Sequence, residues 1–95
     1  MYHIHRTKDF DKSYKRVKES GKLKRQAIET LNHVINTLAL GYGLPAEYND
    51  HQLTGERQGQ RECHIKGDLL LIYKIKKKEL VLVLVDFGSH PYLDL

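Results

Sequence analysis

Residues 60–87, QRECHIKGDLLLIYKIKKKELVLVLVDF, carry the strongest structural pattern in this 95-residue chain. They predict three β-strands, at Gln60–Lys66, Leu69–Ile75 and Leu80–Phe87. The first strand alternates polar and apolar residues, whereas the second is a nearly continuous apolar run that is typical of a central strand. Gly67-Asp68 supplies a tight turn, and a run of three lysines supplies the next one. The second half of the chain is therefore expected to form an antiparallel sheet.

Two helical patterns lie in the first half. The spacing of Phe10, Tyr14 and Val17 predicts a helix that ends near Ser20-Gly21. A wider apolar face predicts a second helix from about Lys22 to Leu40. Few residues join the two helices, so an antiparallel helical pair is expected.

The order of the predicted elements is β-α-α-β-β-β, because Tyr2–Arg6 alternates weakly and is expected to form a short first strand. Residues 41–59 are irregular, and loops of this length are often functional. The order predicts an α+β fold with a helical hairpin packed on an antiparallel sheet. A chain of this length has room for one modest core, so residues 1–95 are expected to form a single domain.

Composition limits the classes of function. Lys+Arg 16 against Asp+Glu 12 gives a net charge of +4, which favours an anionic partner such as nucleic acid or an acidic protein. The single cysteine, Cys63, excludes a disulfide framework and is expected to be a small buried residue. The first residues lack the apolar segment of a signal peptide, and no apolar run approaches a membrane span. We therefore expect a cytoplasmic protein with no membrane contact.

Six histidines suggest proton chemistry. The candidates lie near loops or strand ends: His51, His64 and His90. Histidine can both give and take a proton near neutral pH. Cleavage of RNA needs a base for the 2′-OH and an acid for the 5′-O leaving group, and Arg61 and Lys66 are nearby cations for the phosphate. Each residue also has an ordinary use, for example as a loop cap or in a surface pair.

A metal site is the second chemical hypothesis. His51, His64 and His90 could bind zinc together with Asp68 and leave one position open. His3 and His5 have a chelating spacing, but a solvated strand explains them better. We expect neither a metal nor another cofactor.

The pattern DHxLxG…RExHIxxDxLLIY…GSH resembles the RelE/ParE superfamily of bacterial toxins, and within it the YafQ-like mRNA interferases. The matching blocks cover about half of the chain, at residues 50–55, 61–66, 68–73 and 88–90. The resemblance implies the RelE-like fold, with the element order already expected. It implies a ribosome-dependent endoribonuclease that cuts translated mRNA, and a cognate antitoxin that binds the toxin in a hetero-oligomer.

The resemblance also implies a set of site residues. The positions that match the family's active site are His51, His64, Asp68 and His90, with Glu62 as an acidic position in the same strand. His90 is expected to be the general acid, and His51 or His64 the base. Asp68 would orient a histidine, and the expected RNA contacts are Arg61, Lys66 and Tyr92, the last by stacking on a base.

Three departures from the family pattern and three alternative functions accompany this hypothesis. Asp86 stands where relatives often carry arginine, Asp94 where they often carry phenylalanine, and Arg57 where they often carry an aromatic residue. These departures allow a weakened or inactive toxin. The alternatives are a ParE-like toxin that acts on DNA gyrase without catalysis, a basic nucleic-acid-binding module, and a metal hydrolase.

Overall fold

The chain begins with an edge strand and ends with a short helix in a computed structural model that describes residues 1–95. The strands are β1 (His3–Arg6), β2 (His51–Gln52), β3 (Arg61–Lys66), β4 (Leu69–Lys76) and β5 (Val81–Gly88). The α-helices are α1 (Lys8–Glu19), α2 (Arg25–Ala39) and α3 (His90–Leu93). Two 3₁₀ turns, Ala46–Tyr48 and Gly55–Arg57, flank β2.

The five strands form one sheet in the order β1-β5-β4-β3-β2. Strands β2 to β5 pair antiparallel, whereas β1 pairs parallel to β5, with Arg6 beside Leu84. The α+β class and the predicted element order are confirmed, but the sheet is mixed. A parallel pair needs a long connection, and residues 7–80, which contain both long helices and strands β2 to β4, lie between β1 and β5.

The main core lies between the helical pair and one face of the sheet. Phe10 and Val17 of α1 and Leu31 and Val34 of α2 are buried there against the sheet. Thr7 caps α1, because its hydroxyl oxygen accepts a hydrogen bond from the Phe10 N–H at 3.0 Å.

The second helix begins three residues later than predicted. Its N-cap is Lys24, whose side chain makes no capping hydrogen bond. A lysine ammonium can only donate, so it cannot accept from the free N–H groups of the first turn.

The helices lack the combination of length and apolar character that a membrane span requires.

The opposite face of the sheet carries a second, smaller apolar cluster. Leu93 of α3 is buried there against Leu70 and Ile72 of β4. The sequence patterns predicted no element after the last strand, so this short helix was missed. Ser89 caps the short helix by accepting from the Tyr92 N–H, and burial of Leu93 fixes the helix on the sheet.

Candidate active site

Alternation along β3 separates two environments. Cys63 and Ile65 face the helices and are buried in the main core, whereas Glu62 and His64 lie on the opposite face. Burial raises the pKa of the Cys63 thiol to about 12, and the charges of Asp50 and Glu62 add to this. The thiol is therefore neutral at physiological pH, in keeping with the expected role of a small buried residue.

One carboxylate oxygen brings three histidines together. Oε1 of Glu62 lies 3.5 Å from Nε2 of His64, 3.8 Å from Nε2 of His51 and 3.9 Å from Nε2 of His90. We call these four residues the histidine cluster. The structure therefore joins four of the five residues that the sequence suggested for catalysis.

Three structural elements supply the four members of the cluster: β2, β3 and α3. His51 in β2 is the direct cross-strand neighbour of Glu62, and His64 follows Glu62 by two residues on the same strand face. His90 is the first residue of α3, which Leu93 anchors to the sheet. The rings of His64 and His90 meet edge to face, with their centroids 5.7 Å apart.

Exposure differs sharply within the cluster. The Glu62 side chain is 4% exposed, whereas those of His51 and His90 are each 46% exposed and that of His64 is 33% exposed. A substrate can therefore reach the imidazoles, while the carboxylate stays behind them.

A second polar network lies beside the cluster, and sequence reasoning missed it. Asp50 accepts a hydrogen bond from Arg61 Nε at 3.2 Å and from the Tyr73 hydroxyl, which lies 2.8 Å from both carboxylate oxygens. Burial and the hydrogen bond to Asp50 raise the pKa of Tyr73. Burial lowers the pKa of Arg61, but the partners Asp50 and Tyr73 outweigh this and raise it overall.

The Asp50 network has two consequences for the expected site. Arg61, a predicted phosphate contact, forms its ion pair with Asp50 and makes no hydrogen bond or ion pair with the histidine cluster. Asp50 immediately precedes His51, so the network ties the segment that carries His51 to strands β3 and β4.

Asp68 and Lys66 lie away from the histidines. Asp68 is exposed in the β3–β4 turn and pairs with no histidine, because a bulge after His64 shifts the register before the turn. Lys66 donates a hydrogen bond to Gln26 of α2. Both residues line a cleft of about 450 Å³ whose cationic residues are Lys22, Lys24, Arg25 and Lys66.

Tyr92 and Asp86 belong to a third arrangement, against α1. The Tyr92 ring packs 4.6 Å from the Arg16 guanidinium, and its hydroxyl lies 2.9 Å from Ser13 Oγ. Ser13 donates a hydrogen bond of 2.6 Å to Asp86. Asp86 is thus directed to α1 and forms no ion pair with the histidine cluster.

The histidine cluster also has the chemistry of a metal site. One ligand atom from each of Glu62, His64 and His90 lies within 4.8 Å of the others. Two imidazole nitrogens and one carboxylate oxygen form a donor set that suits zinc or copper.

Comparison with known proteins defines the class. Residues 2–94 match the family model described as bacterial toxin of type II toxin-antitoxin system, YafQ. The mRNA interferase toxin YafQ of Escherichia coli K12 is 40% identical over 74 residues, which cover 78% of this chain and 73% of that protein.

Two solved structures show the same fold over nearly the whole length. A metal-bound toxin from Helicobacter pylori is 42% identical, with a TM-score of 0.83 and coverage of 98% of this chain and 99% of that one. YafQ in the E. coli DinJ–YafQ complex is 26% identical, with a TM-score of 0.82 and coverage of 98% of both chains.

The fold and the family match define a bacterial toxin of a type II toxin–antitoxin system. Within that class, the chain belongs to the YafQ family. The sequence-based recognition of the YafQ-like toxins is confirmed.

Proposed function

We propose that this toxin is an mRNA interferase, an endoribonuclease that cuts translated mRNA by metal-independent acid–base chemistry. The observation that carries the proposal is the arrangement of three Nε2 atoms within 3.9 Å of one buried carboxylate oxygen. The name mRNA interferase of the E. coli relative, which aligns over 78% of this chain, supports the same activity.

The reaction uses the nucleophile that RNA itself carries. His51 or His64 takes the proton of the 2′-OH, and the 2′-oxygen attacks the adjacent phosphorus. His90 gives a proton to the 5′-oxygen as the P–O5′ bond breaks, which leaves a 2′,3′-cyclic phosphate and a 5′-OH. Glu62 stabilises the imidazolium that forms at the base.

The basic cleft supports RNA binding outside the cluster. Lys22, Lys24 and Lys66 have no acidic partner within ion-pair distance, whereas Arg25 pairs with Glu29 on α2. Unpaired lysines near one another suit the phosphates of an RNA backbone, with a strong dependence on salt. Lys66 therefore keeps its proposed phosphate role, at the cleft.

In this proposal, three of the expected site residues lie outside the histidine cluster: Arg61, Asp68 and Tyr92. Arg61 holds the segment of His51 through Asp50, and Asp68 lies in the turn beside the phosphate cleft. Tyr92 is 40% exposed, so its free edge can contact a base while Arg16 covers the ring.

The partners follow from the same activity. An E. coli relative was solved as the DinJ–YafQ complex, and we propose that this toxin likewise binds a cognate antitoxin. Its substrate is mRNA on the ribosome, so it acts in the cytoplasm.

A metal-dependent mechanism is the second candidate, because a Helicobacter pylori relative is described as metal-bound and this chain has a suitable donor set. In our proposal a metal on these atoms occupies Nε2 or Nδ1 of His90 and so blocks the acid. Chelator should therefore leave cleavage unchanged, and added zinc should inhibit it.

Mapping of mRNA ends in a cell-free translation reaction tests the proposal. Wild-type protein should cut within codons only when ribosomes are present, and His90→Ala should not cut. Cuts without ribosomes would show a free ribonuclease, and cuts that chelator abolishes would favour the metal. No cuts by the wild-type protein would favour a gyrase-type toxin or a binding module.

A further inference from the structure

Asn49 stands just before the Asp50-His51 pair, in a conformation that few residues adopt. It ends the first 3₁₀ turn, with φ 48° and ψ 45° in the left-handed region. Asparagine tolerates this region better than most residues that carry a side chain. Its N–H donates to the Ala46 carbonyl at 3.0 Å, and the next residue, Asp50, is held by Arg61 and Tyr73. The Asn49 carbonyl is therefore fixed from both sides.

That carbonyl determines which nitrogen of His51 carries a proton. Nδ1 of His51 lies 2.8 Å from the Asn49 carbonyl oxygen. A carbonyl oxygen can only accept, so Nδ1 must donate and must carry the proton. A neutral imidazole has one N–H, so Nε2 of neutral His51 keeps a free lone pair. This Nε2 is the atom that faces Glu62 in the histidine cluster.

The Asn49 side chain reaches a second histidine. Its Nδ2 lies 3.5 Å from Nε2 of His64, at the long end of hydrogen-bond distances. The amide is a donor, so in this contact the His64 Nε2 lone pair is directed to Asn49. The lone pair of His51 Nε2 has no such partner, which distinguishes the two candidate bases.

We propose that Asn49 is a positioning residue that holds His51 in the Nδ1–H tautomer and so makes His51 the base. The 2′-O–H bond breaks as an N–H bond forms at Nε2 of His51, and Glu62 carries the counter-charge. The catalytic half of this inference rests on the proposed function, whereas the tautomer itself does not.

Nitrogen-15 NMR of the imidazole rings tests the tautomer without any RNA. In wild-type protein, at a pH at which His51 is neutral, its Nδ1 should show the shift of a protonated nitrogen. Asn49→Val places a β-branched residue at positive φ, which moves the carbonyl, and the spectrum should become that of a tautomer mixture. Leu80→Val is the control for strain, because Leu80 also has a positive φ, 57°, in the β4–β5 turn. It should leave His51 unchanged.

Cleavage by the same variants tests the catalytic half. Asn49→Val should lower kcat about 10²-fold, a cost typical of a catalytic group misplaced by about 1 Å, with KM little changed. Asn49→Gly keeps the left-handed backbone and the carbonyl, so it should restore both the tautomer and most of the rate.

Two results would overturn the inference: an Nε2–H tautomer in the wild-type protein, or an Asn49→Gly variant as slow as Asn49→Val. Failure of the proposed function would look different. A protein with the expected tautomer that cuts no mRNA would refute the nuclease, and the role of His51 as base with it, but not the positioning of its ring.

Discussion

Asp50 and Glu62 are two largely buried carboxylates next to His51. Asp50 precedes His51 in the chain and Glu62 lies opposite it on β3, and their surroundings differ. Both oxygens of Asp50 lie 2.8 Å from the Tyr73 hydroxyl, and one also accepts from Arg61. Glu62 has three imidazole nitrogens at 3.5–3.9 Å, beyond or at the limit of hydrogen bonding, and all three rings reach solvent.

The difference between the two surroundings indicates a structural role for one carboxylate and a chemical role for the other. A carboxylate that accepts hydrogen bonds from side chains of two neighbouring strands fixes the backbone segment that carries it. A carboxylate that faces several loosely held imidazoles can stabilise whichever of them becomes charged. We therefore propose that Asp50 holds the site together and that Glu62 takes part in the reaction.

The largest expected effect is on catalysis at Glu62. Glu62→Gln keeps the shape of the side chain but removes the charge that supports the imidazolium. Cleavage in a cell-free translation reaction should fall about 10²–10⁴-fold, while urea unfolding changes little. Glu79→Gln, in the exposed β4–β5 turn, is the matched control and should cut at the wild-type rate.

Asp50→Asn should produce the opposite pattern, with its main effect on stability. The amide loses the ion pair with Arg61 and accepts from Tyr73 less well, so the free energy of unfolding should fall by about 1–3 kcal/mol. The expected loss of unfolding free energy is smaller than the cost of breaking a fully buried pair, because the Arg61 side chain is 34% exposed. Urea denaturation monitored by circular dichroism measures it, and an unchanged midpoint would refute a structural role for Asp50.

Tyr73→Phe sharpens the comparison by removing one partner only. Asp50 keeps Arg61, so the loss should be smaller, about 1 kcal/mol. Cleavage by the folded variant should stay within a few-fold of wild type. A loss of activity as large as that of Glu62→Gln would mean that the two networks are not separate.

The last prediction has no effect at neutral pH and concerns alkaline pH only. The raised pKa of Cys63, from 9.0 to about 12, means that only the unfolded thiol ionises between these values. Stability should be unaffected by Cys63 below pH 9 and should fall as pH rises from there toward 12. Tyr73, whose pKa is also raised, adds to the same loss. Urea titrations at neutral and alkaline pH should therefore show a smaller loss of unfolding free energy for Cys63→Ala than for wild type. An equal loss would contradict the raised pKa of the Cys63 thiol.

Periodicity was sufficient for the elements that build the main core. The apolar spacing in α1 and the patterns of the three long strands predicted where these elements lie. Glu62 and His64 share one face of β3 because side chains alternate along a strand.

What could not be predicted depends on contacts between distant segments. Strand β2 has two residues and no pattern of its own. Helix α3 is held in place because Leu93 packs on an apolar patch formed by β4. Asp68 lies in the turn after β3, where a bulge after His64 shifts the register, and the sequence does not show that it pairs with no histidine. The Asp50 network needs Arg61 and Tyr73 from two strands, so no local spacing reveals it.

A double-mutant cycle between Glu62→Gln and His90→Ala tests the central claim most directly, with the single-turnover rate of mRNA cleavage as its readout. If one carboxylate and its histidines act as a unit, the double variant should be hardly slower than the slower single variant. Effects that multiply in the double variant would show that Glu62 and His90 act independently, and the account of a shared site would be wrong.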